Sequence, residues 1–404
     1  MEYLKISDSL QLPLDFITER TTLFGTSGSG KTYFSMKLVE EICRQKLPCV
    51  IIDVVGIWWG LRIAADGSGE GLPLLIAGET DRCDLKVPAS KGKSLAQIYA
   101  DTRQNMILDV SGWHLTDQCL FISDFLNELF VIHDRTPMIC VADEAHTYAP
   151  QNTGGISEVK QSLDALQNWA TKGRAKGLGL LNIAQRPALL SNSVWGLSTT
   201  LITMNIPFAT DVEKVATWMS DKTTSAEEAR ATNEAIRQLK LRQAFVASRL
   251  LDPDQSVYRF ALAEAAGRIT YDSSATPKVG FARINPKPLS SELIQSLGTL
   301  VQDDDEETDQ VTQLKNRISY LQSQLRQSDA AESLKNPEII KDAVALVTSS
   351  MESLQGAARL LSKALDLAPS EPLAADPVAV EVEDVNPFIA EWKKLGQVSL
   401  VASE

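Results

Sequence analysis

The sequence predicts an α/β fold, a mostly parallel sheet flanked by helices, followed by an acidic helical extension at the C-terminal end. Three observations support this prediction. Short apolar segments alternate with helical patterns through residues 1–285. Several of these segments are apolar nearly throughout, as strands covered on both faces of a parallel sheet are. From Pro286 onward the chain becomes strongly acidic and its periodicity is helical.

The predicted strands are short and lack internal breakers. They comprise residues 21–25, 49–53, 106–110, 138–143, 178–184, 200–205, 244–248 and 257–262. The segments between them with helical periodicity are 32–45, 116–133, 159–172, 211–219 and 226–239. Strands that alternate with helices in this way favour a doubly wound sheet.

Changes in composition divide the chain into four predicted parts. Residues 1–285 form the α/β domain, and residues 286–310 form a linker that contains a run of acidic side chains at 303–307. Residues 311–367 are predicted to be helical, with apolar side chains at heptad spacing that suit either a short coiled coil or an ordinary amphipathic helix. Residues 368–404 are predicted to be a largely disordered tail with one short helix.

A glycine-rich loop follows the first strong strand and opens the helix 32–45. Its sequence fits the phosphate-binding pattern G-x-x-x-x-G-K-[ST], and the predicted nucleotide-binding residues are Gly25, Thr26, Ser27, Gly28, Ser29, Gly30, Lys31, Thr32 and Tyr33. Backbone N–H groups of such a loop and the following helix N-terminus attract phosphate. Lys31 supplies positive charge to the β- and γ-phosphates, and the Thr32 hydroxyl is a ligand for Mg²⁺. The loop predicts a P-loop NTPase of RecA-like fold with ATP and Mg²⁺ as cofactors.

A second motif lies at the apolar strand 138–143, which ends at Asp143 and is followed directly by Glu144. In P-loop enzymes the first carboxylate of such a pair lies near Mg²⁺, and the second polarises the attacking water. We therefore expect Asp143 to be a metal ligand together with Thr32, and Glu144 to be the catalytic base. The string Asp-Glu-Ala-His also spells a helicase motif, but the other motifs of that helicase class are not visible.

Two further polar residues flank the strand 178–184. Gln185 follows the strand, where an amide is well placed to sense the γ-phosphate. Arg174 precedes the strand, within Gly-Arg-Ala-Lys-Gly, and is predicted to act in trans at a neighbouring subunit's site, as arginine fingers do. The alternative for Arg174 is a charge that satisfies helix C-terminal carbonyls.

Together these motifs resemble the HerA/FtsK superfamily of ring-forming, DNA-pumping ATPases, and most closely the HerA-type members, over about residues 10–265. The Asp53-Val54-Val55-Gly56 segment matches that group's Asp-x-x-Gly after the second strand. The resemblance implies a hexameric ring that hydrolyses ATP and translocates double-stranded DNA. It assigns Lys31 and Gln185 to catalysis beside Glu144, and it offers Arg174, or less strongly Arg20, as the trans-acting arginine.

The chain also departs from that family. HerA proteins usually carry a small β-barrel before the ATPase domain, and few residues precede the first predicted strand here. An acidic residue commonly follows the Asp-x-x-Gly glycine, whereas this chain has Ile57 and then Trp58-Trp59, for which packing is expected. The alternative function is a nucleotide-gated oligomeric ATPase that organises a partner effector, such as a nuclease in a phage or defence system. A GTPase is disfavoured, because the guanine-reading N/T-K-x-D segment lacks its aspartate at Arg174.

Charge and cysteine content bound the remaining function classes. The formal net charge is −13, and residues from Pro286 onward carry 20 acidic against 10 basic side chains. The first domain is therefore close to neutral, which leaves a lysine-lined DNA channel possible. Five scattered cysteines, the lack of a signal-peptide layout and the absence of a long apolar segment favour a cytoplasmic protein without a membrane span.

Overall fold

A 10-stranded, mostly parallel sheet organises the fold, in a computed structural model that describes residues 3–220, 222, 235–252, 254, 256–275, 284–291, 294–295 and 297–298. A separate antiparallel pair, β1 (Tyr3–Lys5) and β2 (Gln11–Pro13), precedes the sheet. The sheet strands are β3 (Arg20–Phe24), β4 (Cys49–Asp53), β5 (Leu75–Gly78), β6 (Leu85–Lys86), β7 (Met106–Asp109), β8 (Met138–Ala142), β9 (Leu178–Ala184), β10 (Thr200–Thr203), β11 (Gln243–Ser248) and β12 (Arg259–Glu264). Their spatial order is β12-β11-β10-β3-β9-β8-β4-β7-β5-β6.

Helices lie between the strands of the sheet. The described ones are α1 (Lys31–Arg44), α2 (Gly92–Thr102), α3 (Leu115–Ile132), α4 (Ser157–Lys172), α5 (Asn192–Trp195) and α6 (Ala209–Ser220). Every pairing from β10 to β6 is parallel, and β11 and β12 extend one edge in antiparallel fashion. Within the described chain, no helix has both the length and the apolar character needed to cross a bilayer.

Strand β4 shows why the sheet is covered on both faces. All of its residues are buried, and alternate side chains point to opposite faces. Val50 and Ile52 join an apolar cluster that contains side chains of α2, α3 and α4. Cys49 and Ile51 join a second cluster, which contains side chains of α1 and of the β1–β2 pair. The sheet therefore has an apolar layer on each side, as the continuous apolar strands predict.

The order of the central strands determines where the polar motifs meet. Strand β9 lies between β3 and β8, and all three are parallel. Asn182 of β9 pairs with Thr22 on one side and with Ala142 on the other. The carboxyl ends of the three strands consequently share one edge of the sheet, and the residues that follow them are brought together there.

The predicted fold class is confirmed. All eight predicted strands occur, with β4 and β9 at the predicted bounds and β12 displaced by two residues. The β1–β2 pair, β5, β6, α2 and the short α5 were not predicted. The predicted helix 226–239 lies largely outside the described residues, and the helical region 311–367 and the tail 368–404 lie wholly outside them.

The predicted boundary at residue 285 stays a prediction. Part of the predicted linker contacts the α/β domain: Arg62 donates to the backbone oxygen of Lys287, and the Leu289 N–H donates to the Asp84 carboxylate at 3.1 Å. Leu297 is buried as well. These contacts keep the chain on the domain for several residues beyond the composition change.

Candidate active site

The backbone of the glycine-rich loop curls tightly between β3 and α1. Gly28 and Gly30 adopt left-handed conformations, with φ of 78° and 96°, which glycine reaches without strain. The Ser29 N–H donates to the Thr26 oxygen at 3.1 Å and closes the turn. A Cβ on Gly25 would lie 2.7 Å from Ser29 Oγ and 2.8 Å from Met204 Cβ. The loop therefore needs glycine at Gly25 for space and at Gly28 and Gly30 for conformation.

Lys31 begins α1 and is almost fully buried, with 6% of its surface exposed. Its Nζ donates to the Thr26 oxygen at 3.3 Å, so the ammonium group lies inside the loop. Burial lowers the pKa of Lys31, and the nearby carboxylates of Glu144 and Asp143 act in the opposite direction. The loop thus faces the two carboxylates that follow β8, although they are distant in sequence.

Asp143 directly follows β8 and is buried. Its Oδ2 accepts a hydrogen bond of 2.8 Å from the Trp58 indole Nε1–H, and its Oδ1 accepts the Glu144 backbone N–H at 3.0 Å. Burial, with the neighbouring Glu144 charge, raises the pKa of Asp143 to about 6. Both carboxylate oxygens are thus oriented by protein donors.

Glu144 has a left-handed backbone, with φ of 41°, which is uncommon for a residue other than glycine. Gln185 Nε2 donates to Glu144 Oε1 at 3.2 Å, and His146 Nδ1 lies 3.2 Å from Glu144 Oε2. Burial lowers the pKa of His146, although the Glu144 charge opposes this effect. The carboxylate is held between the residue that follows β9 and the turn that follows β8.

The predicted Mg²⁺ ligands have the right chemistry for that ion. The Thr32 hydroxyl and the Asp143 carboxylate are hard oxygen donors, which Mg²⁺ prefers and usually combines with water and substrate phosphates. Thr32 lies in the first turn of α1, beside Lys31, and is partly exposed. The two side chains therefore have the donor chemistry that a magnesium ion would need.

Arg174 and Arg20 lie at the opposite edge of the sheet from the loop. Arg174 precedes β9 and Arg20 begins β3, whereas the loop and Gln185 follow the carboxyl ends of these parallel strands. Arg174 Nη2 lies 3.2 Å from Glu19 Oε1, and its side chain is 59% exposed. Arg20 Nη1 donates to the Ala170 oxygen at 3.3 Å. Neither arginine reaches the site of its own chain.

Two buried residues without a predicted catalytic role, Asp53 and Trp58, support the carboxyl ends of the strands. Asp53, at the end of β4, accepts the backbone N–H groups of Val55, Gly56 and Trp58. Burial raises the pKa of Asp53 to about 8, with smaller contributions from Asp109 and Asp143. The family resemblance points to the Asp-x-x-Gly segment, but nothing in the sequence indicates this turn or the Trp58–Asp143 bond.

The fold and this site define the class of the protein as a P-loop ATPase. Residues 4–61 match the family model described as the central domain of helicase HerA. The match spans β3, the glycine-rich loop, α1 and β4, and it confirms over that segment the resemblance to the HerA/FtsK superfamily. No curated protein sequence matches the chain.

Similar solved structures include a viral genome-packaging NTPase, VirB4 and a conjugative coupling protein. The genome-packaging NTPase B204 of Sulfolobus turreted icosahedral virus 2, in complex with ATP-gammaS, is 16% identical over 62% of this chain and 98% of its own, with a TM-score of 0.40. VirB4 of Thermoanaerobacter pseudethanolicus is 11% identical over 66% and 96%, with a TM-score of 0.42. The bacterial conjugative coupling protein TrwBdeltaN70 is 9% identical over 68% and 91%, with a TM-score of 0.46.

Proposed function

We propose that this protein is an ATP-hydrolysing, HerA-like ring motor that translocates double-stranded DNA. The observation that carries the proposal is the meeting of four predicted catalytic and binding groups at one edge of the sheet. The Lys31 ammonium is near enough to Asp143 for its charge to oppose the raised pKa of that carboxylate, and Glu144 contacts Gln185 at 3.2 Å. The proposal extends the HerA match of residues 4–61 to the activity of the whole chain.

In the proposed reaction, water attacks the γ-phosphorus of ATP and ADP leaves. Glu144 accepts the proton of the attacking water, because its carboxylate lies beside Gln185 and close enough to Lys31 to influence its pKa. Lys31 balances the negative charge of the transferring phosphoryl group, and Gln185 contacts the γ-phosphate. A magnesium ion held by Thr32 and Asp143 would neutralise charge on the phosphate oxygens.

The proposed ring explains the position of Arg174. Since its charge lies at the amino edge of the strands, it can serve only a site on another copy of the chain. The Arg174 side chain is 59% exposed, so it can be presented to another copy at a subunit contact. The hexamer, the cytoplasmic location and the duplex DNA substrate are parts of the same proposal.

Steady-state ATP hydrolysis with and without linear duplex DNA at low salt tests the proposal. We expect duplex DNA to stimulate turnover, and Lys31→Ala and Glu144→Gln to reduce turnover at least 100-fold, the scale of lost transition-state charge stabilisation and base catalysis. Glu144→Gln should still bind ATP. Turnover that is indifferent to DNA would instead support the nucleotide-gated ATPase that organises an effector such as a nuclease. A wild-type chain without ATP turnover would contradict both functions.

A further inference from the structure

Arg242 is attached to the glycine-rich loop, although it lies far from the loop in sequence. It directly precedes β11, and its backbone N–H donates to the Ser29 oxygen at 3.0 Å. A Cβ on Gly30 would lie 3.2 Å from both the backbone nitrogen and Cγ of Arg242. The position of Arg242 is therefore tied to the conformation of the phosphate-binding loop.

The guanidinium group of Arg242 stacks on Tyr33. Its Cζ lies 3.7 Å from the centre of the Tyr33 ring. The backbone of Arg242 is left-handed, with φ of 67°, a conformation that costs free energy in a residue other than glycine and that clusters at functional sites. Tyr33 directly follows Thr32 in the first turn of α1, and its hydroxyl accepts the Arg268 N–H at 3.3 Å. The Tyr33 ring is therefore contacted at its face by Arg242 and held at its hydroxyl by Arg268.

The two arginines beside Tyr33 differ in charge balance. Arg268 is buried and lies 3.2 Å from the Glu40 carboxylate. Arg242 is partly exposed, and among the residues that the structure describes no carboxylate pairs with it. The planar Arg242 guanidinium, with one face on Tyr33, therefore carries a positive charge that no carboxylate among the described residues balances.

We propose that Arg242, supported by Tyr33, is the platform on which the adenine base of ATP stacks. This inference rests on the proposed function, because it requires ATP in the loop. With the phosphates at the loop and at the N-terminus of α1, the nucleoside extends past Thr32 toward Tyr33. Guanidinium planes stack on aromatic rings and on bases. Stacking reads the face of a base and not its edge, so ATP and GTP should bind with similar affinity.

Equilibrium binding of ATP and of inorganic triphosphate to the full chain tests the platform. Arg242→Ala should weaken ATP binding about tenfold, as the loss of one stacking contact does, and should leave triphosphate binding unchanged. Arg242→Lys should behave like Arg242→Ala, because lysine keeps the charge but lacks the plane. Arg249→Ala is the matched control: Arg249 also stacks on a tyrosine, Tyr258, at 5.2 Å, but it lies at the far end of β11, and ATP affinity should not change.

Tyr33 provides a second route if an Arg242 variant fails to fold. Tyr33→Phe keeps the ring and should keep ATP affinity within about twofold, whereas Tyr33→Leu should weaken it about tenfold. Equal losses for ATP and triphosphate would overturn the inference in favour of a phosphate contact. Unchanged ATP affinity in folded Arg242→Ala, with normal turnover, would overturn the inference alone. A wild-type chain that does not bind ATP would overturn the proposed function as well.

Discussion

The indole of Trp58 connects two motifs that are 85 residues apart in the chain. Trp58 follows the Asp-x-x-Gly turn and is fully buried, and packing alone is the sequence-based expectation for it. In the structure its Nε1–H donates to Asp143, the predicted metal ligand. One side chain therefore both fills the core and orients a carboxylate at the site.

Trp58→Phe should keep most of the packing and remove this hydrogen bond. Because the buried Asp143 carboxylate then loses a hydrogen-bond donor, we expect the free energy of unfolding to fall by about 1–3 kcal/mol. We predict a several-fold drop in ATP turnover and a higher Mg²⁺ requirement, measured by magnesium titration of activity. Trp59→Phe is the control, since Trp59 stacks on Tyr271 at 5.8 Å and is not bonded to Asp143. Equal effects of the two substitutions would contradict the orienting role.

The raised pKa of Asp53, about 8, predicts a pH-dependent stability. Between pH 3.8, the ordinary pKa of this carboxyl group in the unfolded chain, and about pH 8, the folded protein holds a proton that the unfolded chain has released. Rising pH therefore favours unfolding, and the contribution of Asp53 to the free energy of unfolding should fall by about 1–3 kcal/mol between pH 6 and 8.

Urea denaturation of the nucleotide-free protein in EDTA at several pH values measures this dependence. Asp53→Asn should flatten the decline, whereas Asp8→Asn should not, because the Asp8 side chain is 100% exposed. If the free energy of unfolding fell as steeply with pH in Asp53→Asn as in the wild type, groups other than Asp53 would be responsible for the decline.

At the scale of elements, helix α1 is anchored to the chain that follows β12. Glu40, in the middle of α1, is fully buried. It accepts hydrogen bonds from the Arg268 guanidinium at 3.2 Å and from the Thr270 N–H at 3.0 Å. Since α1 begins with Lys31, this buried pair helps to fix the helix on which the phosphate-binding loop ends.

Arg268→Ala should be strongly destabilising. It leaves the buried Glu40 carboxylate with only the longer Lys37 ion pair of 3.8 Å among the described residues, at a cost of up to about 3–5 kcal/mol. The midpoint of urea denaturation should fall accordingly, and the double substitution Arg268→Ala with Glu40→Gln should recover part of the loss. Lys5→Ala breaks the Lys5–Asp8 pair, whose side chains are 57% and 100% exposed, and should cost at most about 1 kcal/mol. Similar losses in the two single variants would refute the anchoring role.

At the scale of the whole molecule, the site and the trans-acting arginine candidates lie at opposite edges of one sheet. A single chain therefore cannot supply both to one nucleotide. If subunits assemble head to tail, as in a ring, each contact brings the amino edge of one copy to the carboxyl edge of the next. Because Arg174 and the site that it serves lie on different copies in the proposed ring, mixing variants of the two can test that ring without knowledge of any partner protein.

Arg174→Ala and Glu144→Gln should each be inactive, yet they should complement each other when mixed. An Arg174→Ala copy has an intact site, and a neighbouring Glu144→Gln copy supplies the missing arginine. With equal, random mixing, about a quarter of the contacts are complete, so ATP turnover should rise well above that of either variant alone. Arg20→Ala mixed with Glu144→Gln distinguishes the weaker candidate. A mixture no more active than its parts would exclude a trans-acting Arg174.

The sequence by itself determined the fold class, most strand positions and the glycine-rich loop. These depend on local requirements: apolar runs for buried strands, and glycine where the backbone is left-handed or crowded, as at Gly25 and Gly30. It missed the short strands β5 and β6 and the helix α2, whose periodicity is weak over few residues. Only the tertiary structure decided which motifs meet. The contacts Trp58–Asp143, Gln185–Glu144 and Arg242–Tyr33 arise from the strand order and from loops distant in sequence, and no local pattern encodes such contacts.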